Sequence, residues 1–384
     1  MQRREFLRST GAASSALALA ACAPRLVKPP VWPTTPAVRA TADHDGRWAE
    51  ALHYARWTPS PHNMQPWRLR LLNAWQAELC CDPDRQLPNT DPQSAFTMVT
   101  LSMFAEHLAI AFAAQGYALS AEFVDAPIDY TVRAPVLVAM LSLEPLPKRL
   151  DARARRSALC ERQTSRLPYD GSCVHNEVLE TIQRRSATEG HQFGWTHDRA
   201  QVRAGIAINR DAVFADMDSE VARTELRRWI RPSDQQAQAT NDGLWSRCMH
   251  FPGWLLRDFF DNHRAWQHGA RAALGKRLLT HGMRGTRTLA WWSGPFVTPA
   301  DWVRAGRVFA HAWLLLSEAG VHLHPFGSVV TNPDAHQRFL SMLGPSRPAN
   351  TMWLLARMGY SDQPPRSLRI PTSAIFLNDT EQFS

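Results

Sequence analysis

Residues 58–67 read Thr-Pro-Ser-Pro-His-Asn-Met-Gln-Pro-Trp. Three prolines in ten residues fix the backbone and withdraw N–H donors, so this stretch is stiff. Pro59 and Pro61 frame Ser60, and Asn63 and Gln65 follow, offering hydroxyl and amide groups that do not ionise. Such a set suits recognition of a planar, hydrogen-bonding ring better than acid–base chemistry, although an ordinary helix-to-strand turn has a similar composition. Upstream, Trp48, Leu52 and Ala55 recur on one helical face. Downstream, Trp67, Leu69 and Leu71 alternate as a strand.

Working outward, the pattern recurs. Phe104 to Phe123 reads as a helix ended by Gly116 and followed by a short alternating strand. Phe309 to Phe326 reads the same way, with Gly320 as the terminator. A glycine just past a helix supplies the left-handed cap. A further apolar strand follows each, over 132–143 and 351–358. Helix, hairpin (67–72, then 75–81), long helix and two strands, then a second such unit, give an α+β fold of two tandem modules. Their bounds are 42–150 and 151–384. The modules differ in what they lack. The rear counterpart of the Pro-rich loop, near 186–195, has no asparagine and no proline. The rear module opens with Cys160-Glu161-Arg162-Gln163-Thr164-Ser165-Arg166, for which the front module has no equivalent. In extended chain Arg162, Thr164 and Arg166 point one way. Two guanidiniums flanking a hydroxyl then form a phosphate cradle, although a solvated Arg-rich turn would share the spacing.

These motifs resemble the nitroreductase-like flavin enzymes, from about residue 42 to 375. The 58–67 loop is similar to the family's PSxxNxQPW loop, which reaches across a dimer interface to FMN. The resemblance therefore implies that Pro59, Ser60, Pro61, Asn63 and Gln65 approach the cofactor. Arg162, Gln163, Thr164 and Arg166 match the phosphate-binding RxSxK/R element. His324-Pro325-Phe326-Gly327-Ser328 matches the segment that aims backbone N–H groups at the flavin N5 edge, implicating Pro325, Phe326 and Gly327. In the Pro-rich tail (364–371), Arg369 is the better match to the arginine that returns to the phosphate and Arg366 the fallback, for which a surface position is the preferred reading. The pattern is most similar to the Acg-type branch, in which tandem modules form an intrachain pseudo-dimer. One FMN per chain is implied, serving an oxidoreductase that reduces a small quinone-like or nitroaromatic acceptor. Storage or sequestration of FMN is the alternative. Residues 227–243 resemble a lid of that branch; a solvated helix and turn is an equal reading. The resemblance names no catalytic side chain.

Arg3-Arg4-Glu5-Phe6-Leu7-Arg8, a small-residue apolar run and Leu19-Ala20-Ala21-Cys22 have the order of an export signal. They resemble a twin-arginine leader (1–21) ending in a lipobox, with Cys22 lipidated and 22–41, rich in proline, as a tether. The expected location is the periplasmic side of a membrane, with no later run long and apolar enough to cross it. Electrons would then come from a quinol or a partner protein. Net charge is +8; losing Arg3, Arg4 and Arg8 with Glu5 leaves +6. The arginines are spread out and not interleaved with aromatics, so nucleic acid is not an expected partner. Five cysteines remain after Cys22, Cys80, Cys81, Cys160, Cys173 and Cys248, an odd number with no CxxC pair; each reads by default as a buried or incidental thiol, with a Cys160–Cys173 bridge as the alternative. Trp48, Trp229, Trp254, Trp291, Trp313 and Trp353 sit at apolar positions and are expected in the core. His322 and His324 share a strand face but lack a third metal ligand at motif spacing. Motifs for nicotinamide-binding folds, serine hydrolases and P-loops are absent.

Overall fold

The computed structural model describes residues 45–147 and 153–377. The leader, Cys22, the tether and the 150/151 module boundary lie outside the described residues. The helical face read from Trp48, Leu52 and Ala55 is that of α1 (Asp45–Ala55), and all three are fully buried. The hairpin follows as β1 (Trp67–Leu71) and β2 (Gln76–Cys81). Then come α2 (Ala95–Gln115), a left-handed Gly116 at φ 94°, β3 (Tyr117–Phe123) and β4 (Val136–Pro145). These strands form an antiparallel sheet in the order β1-β2-β4-β3.

The rear half repeats this plan around an insertion. After α3 (Arg153–Glu161) and α4 (Asn176–Thr188) comes β5 (Gln192–Thr196). The insertion holds α5 (Arg199–Asp218), α6 (Glu220–Trp229), α7 (Asp234–Thr240), α8 (Gly253–Asp261) and α9 (Gly269–His281). The plan resumes with β6 (Thr288–Ser293), α10 (Pro299–Glu318), β7 (His322–Pro325), α11 (Pro333–Leu343) and β8 (Met352–Gly359). The second sheet is also antiparallel, in the order β5-β6-β8-β7, so both sheets share one strand plan. Sequence chemistry sets the start of α10: Thr298 and Asp301 form a reciprocal capping box, and Pro299 occupies the first turn.

The two halves share one core. α2 and α10 cross at Gly306, where an added Cβ would lie 2.5 Å from the Val99 carbonyl. Ser102 Oγ donates to Val303 O at 2.7 Å across the same crossing. Trp48, Trp67, Phe104 and Phe112 of the front half belong to the same buried cluster as Trp292, Phe309, Trp313 and Trp353 of the rear. The chain end crosses back as well. Leu69 N–H donates to Ile375 O and Leu377 N–H to Leu69 O, both at 2.8 Å, so the tail assigned to the rear module pairs with β1 of the front sheet.

Two expectations are corrected, and the cysteines follow the default reading. α2 is long and apolar enough to cross a membrane, which the sequence reading denied to every later run; here it is buried between the halves. Trp254 is 63% exposed, because it lies on the outer face of α8 in the insertion rather than in the core. Cys160 and Cys173 are free thiols, as are Cys80, Cys81 and Cys248.

Candidate functional site

The Pro-rich loop lies between the halves. Its backbone is strained: His62, Asn63 and Gln65 have φ of 49°, 57° and 52°, a region that costs non-glycine residues roughly 1 kcal/mol or more each. Local bonds offset that cost. Ser60 Oγ accepts the Gln65 N–H at 3.0 Å, and Thr58 Oγ1 donates to Ala55 O at 2.7 Å while sharing a hydrogen bond with His107 on α2. Asn63 Nδ2 donates to Gly243 O (3.3 Å) and Leu368 O (3.1 Å), and Gly243 N–H returns to Asn63 O. The loop is thereby held between the insertion and the C-terminal tail.

Gln65 differs from expectation. Its Nε2 donates to Asn241 O and Asn63 O, and its Oε1 accepts the Ile370 N–H at 2.9 Å. With both ends of the amide engaged by protein, Gln65 positions the loop rather than facing a ligand. Asn63 keeps a buried Oδ1 without a hydrogen-bond partner. Part of the 227–243 stretch is seated here. Buried Asp242 joins Arg85 (2.9 Å) and Arg231 (2.6 Å), while Arg85 also donates to Met64 O. Glu225 of α6 accepts from the backbone and side chains of Asn89 and Thr90.

The Arg162–Arg166 arm runs beside β7. Thr164 forms a parallel bridge with Leu323, and Ser165 N–H donates to Leu323 O at 3.2 Å. This pairing brings the arm next to Pro325, Phe326 and Gly327. The Phe326 N–H is spent on Leu355 O, so it is not free for a ligand, and the Phe326 ring is buried. Pro325 pairs with Ala356 at the end of β7. Gly327 opens a short helical turn, and an added Cβ there would meet nothing within 4 Å. Gln163 is half-buried, with a buried Oε1 lacking a partner.

Arginine dominates the chemistry of this junction. The Arg162 guanidinium is buried, donates to Trp57 O at 2.5 Å and lies 4.3 Å from the Trp313 ring centre. Arg366 and Arg369 lie over the Trp57 ring at 3.4 and 5.3 Å, and Arg366 also donates to Cys160 O. Arg366 is therefore part of the site and not the surface residue expected from the Pro-rich tail. Arg166 donates to Cys248 O at 3.4 Å. Arg357 of β8 donates to the carbonyls of Ser165 and Leu167 and to Thr286, fixing the arm from below. Arg56, beside the loop, completes six.

None of these six forms an ion pair with a carboxylate among the described residues. Their acidities record it. Burial, then the neighbouring Arg366, pushes Arg162 down to about 9; burial lowers Arg366 to about 10. Arg369 is driven well down by burial and then by Arg162 and Arg366, and Arg56, Arg166 and Arg357 shift the same way, chiefly through burial. All remain cationic at neutral pH. The Nε atoms of Arg56, Arg162, Arg366 and Arg369 are buried without a partner. Uncompensated buried charge of one sign is costly, and an anion of matching geometry relieves it. The Cys248 thiol, set among Arg166 and Arg369, is pushed up to about 11 by burial. His324 is held neutral by burial and by Arg166 and Arg357, and its Nδ1 accepts from Arg357.

Sequence reasoning missed Arg56, Arg357 and the inward course of Arg366. Arg357 had a readable signal, a lone charge inside the apolar strand Met352–Gly359. A surface groove of about 670 Å³ beside Asn73–Gln76 lies at the far end of β1 and shares nothing with this cluster. Where the rear half would have its own loop, α4 reaches β5 through only Glu189, Gly190 and His191.

No family model matches the chain. It is 24% identical over 308 residues to "Probable NAD(P)H nitroreductase PigM" of a Serratia species, covering 74% of this chain and 81% of that protein. A Mycobacterium tuberculosis protein also named as an NAD(P)H nitroreductase is 27% identical over 172 residues, 44% of this chain and 47% of its own length. Among solved structures, the FMN-dependent nitroreductase NfnB from Mycobacterium smegmatis, in complex with NADPH, aligns over 61% of this chain and 99% of that one. Identity there is 15% and the TM-score 0.36. A nitroreductase with bound FMN from Desulfitobacterium hafniense aligns over 59% of this chain and 95% of that one, at 11% identity and a TM-score of 0.31.

Proposed function

We propose that this chain is an FMN-dependent oxidoreductase of nitroreductase type, built as an intrachain pseudo-dimer with one FMN between its halves. The observation that carries the reading is the group of arginines at the junction that form no ion pair with a carboxylate among the described residues, four of them (Arg56, Arg162, Arg366 and Arg369) with buried, unpartnered Nε atoms. That donor set fits a dianionic phosphate, which accepts several charge-assisted hydrogen bonds at roughly 1.5–3 kcal/mol each. The names of the relatives point to the same activity. The shared strand order of the two sheets supports the pseudo-dimer. The short rear connection at 189–191 and the single arginine arm support one cofactor rather than two.

In this reading Arg162, Arg366 and Arg369 hold the phosphate, with Arg166 and Thr164 at its flank. Gly327 permits close backbone approach to the ring, and Asn63 Oδ1 faces it from the front half. Arg357 and Gln65 touch no ligand; they fix the arm and the loop. When bound, the isoalloxazine supplies the hydride and electron transfer, while the protein supplies orientation, positive potential and exclusion of water. No side-chain acid or base is assigned. The acceptor is a small quinone-like or nitroaromatic molecule. The leader motifs support export by the twin-arginine route and lipidation at Cys22.

One specific observation favours a second reading, FMN sequestration: the insertion is fastened onto the loop through Asp242, Asn241 and Gly243. Purified protein is expected to be yellow, with one FMN per chain by chromatography after denaturation. Anaerobic NADPH or a soluble quinol analogue should bleach it, and a nitroaromatic or quinone should restore the colour. Bleaching by neither donor leaves sequestration; colourless protein that takes up no added FMN overturns both.

A further inference from the structure

The insertion carries an outer face that the flavin reading does not use. On α8, Trp254 is 63% exposed. One turn further, Asp258 pairs with Arg271 of α9 at 3.6 Å. From Arg271 the face continues along α9 through Leu274 (48% exposed), Arg277 and Leu278 (38% exposed). Positions 254 and 258 share one side of α8, and 271, 274 and 278 share one side of α9; the Asp258–Arg271 pair joins the two sides. Residues 253–281 hold five Lys and Arg against two Asp. Both carboxylates already have arginine partners, Asp258 with Arg271 and Asp261 with Arg227. Arg257, Arg264 and Arg277 have no ion pair among the described residues and are exposed.

We propose that this α8–α9 face lies on an anionic lipid surface. Exposed Leu274 and Leu278 with unpaired Arg277 on α9, a helix with no acid of its own, and exposed Trp254 with unpaired Arg257 on α8, whose two carboxylates are already paired, make up the composition of a face seated in the headgroup plane. Charge complementarity selects an anionic lipid rather than a neutral one. The chain preceding the described residues is compatible with such seating. Twenty-two residues separate Cys22 from Asp45 and span at most about 75 Å, whereas a globule of this size is about 50 Å across. A tether of that length lets any face reach the surface, and it raises local concentration enough for a weak contact to persist. The face itself needs no lipidation and no flavin.

The test uses the full chain with Cys22→Ser, so that no acyl chain is attached. Vesicles of phosphatidylcholine alone are compared with vesicles carrying about one third phosphatidylglycerol. The parent should pellet with the anionic vesicles, and amides of 253–281 should gain protection from hydrogen exchange there. Leu274→Asp/Leu278→Asp and Arg257→Glu/Arg277→Glu should each weaken binding at least tenfold and abolish that protection. FMN content should not change, which separates this outcome from failure of the flavin reading and reports on folding. Equal binding of parent and variants, or equal binding to both vesicle types, overturns the proposal. A vesicle-free dimer dissolved by Leu274→Asp would assign the face to a second copy and overturn it as well.

Discussion

Replacing Arg162 by methionine should have opposite effects on the flavin-free and flavin-bound protein. The guanidinium is 4% exposed, with one carbonyl partner, one aromatic face and a buried Nε without a partner. Its desolvation costs several kcal/mol. The hydrogen bond to Trp57 O returns about 1.5–3 kcal/mol and the Trp313 contact about 2 kcal/mol. The flavin-free protein thus gains little or nothing from the charge. Methionine has similar reach, keeps contact with Trp313 and requires no counter-ion. Removing a buried charge that has no counter-ion removes its desolvation cost, so the replacement should be neutral or stabilising. In the bound protein the same change removes at least one charge-assisted bond to phosphate. The expected loss is about 1.5–3 kcal/mol, a roughly 10- to 150-fold weaker FMN affinity. Guanidinium unfolding of flavin-free protein and fluorescence titration with FMN measure the two halves. If Arg162→Met lowers flavin-free stability by more than about 1 kcal/mol and leaves FMN affinity intact, Arg162 is a structural residue and the anion-site argument fails.

Three further outcomes are expected. Asp242→Asn leaves Arg231 without a carboxylate partner among the described residues and Arg85 with Asp82 alone; it should cost about 3 kcal/mol and speed hydrogen exchange at Asn63–Gln65 and Gly243, whereas unchanged exchange would show that the insertion is not held there. Gly327→Ala meets no protein atom, so the melting temperature should stay put while FMN affinity falls; equal affinity would remove Gly327 from the site. Burial raises the Asp91 carboxyl to about 6, against hydrogen bonds from Thr97 and Phe96. A raised carboxyl favours the folded state at low pH, so its contribution is complete below about 4 and fades as pH rises through 6, about 3 kcal/mol in all. Asp91→Asn keeps an acceptor at the start of α2 and should flatten stability against pH across that window, read by urea unfolding at pH 4 and 6.5.

Local elements were legible because each has a short-range cause. Apolar spacing at Trp48, Leu52 and Ala55 gave α1, and Gly116 and Gly320 marked the ends of α2 and α10 through their left-handed backbone. The arm and loop were legible for the same reason, as compact motifs. What failed depended on distant partners. Gln65 carries the same amide whether it faces a ring or the Asn241 and Ile370 backbone, and only the seated insertion and tail decide which. Trp254 has a core-like sequence context, yet it lies on the outer face of α8, opposite the side that buries Leu255, Leu256 and Phe260. Arg366 followed two prolines in a polar tail, and its stacking on Trp57 arises only because that tail turns back across the halves.

By itself the sequence determined the mixed α+β plan and the order of its helices and strands, since helix periods, strand alternation and glycine stops act within a few residues. The tertiary structure decided where charge is buried. Six arginines drawn from the turn after α1, the arm, β8 and the tail are brought to the junction of the halves, and none of them forms an ion pair with a carboxylate among the described residues. The cost of a buried cation depends on what surrounds it in three dimensions, and residues up to 313 positions apart in the chain supply those surroundings.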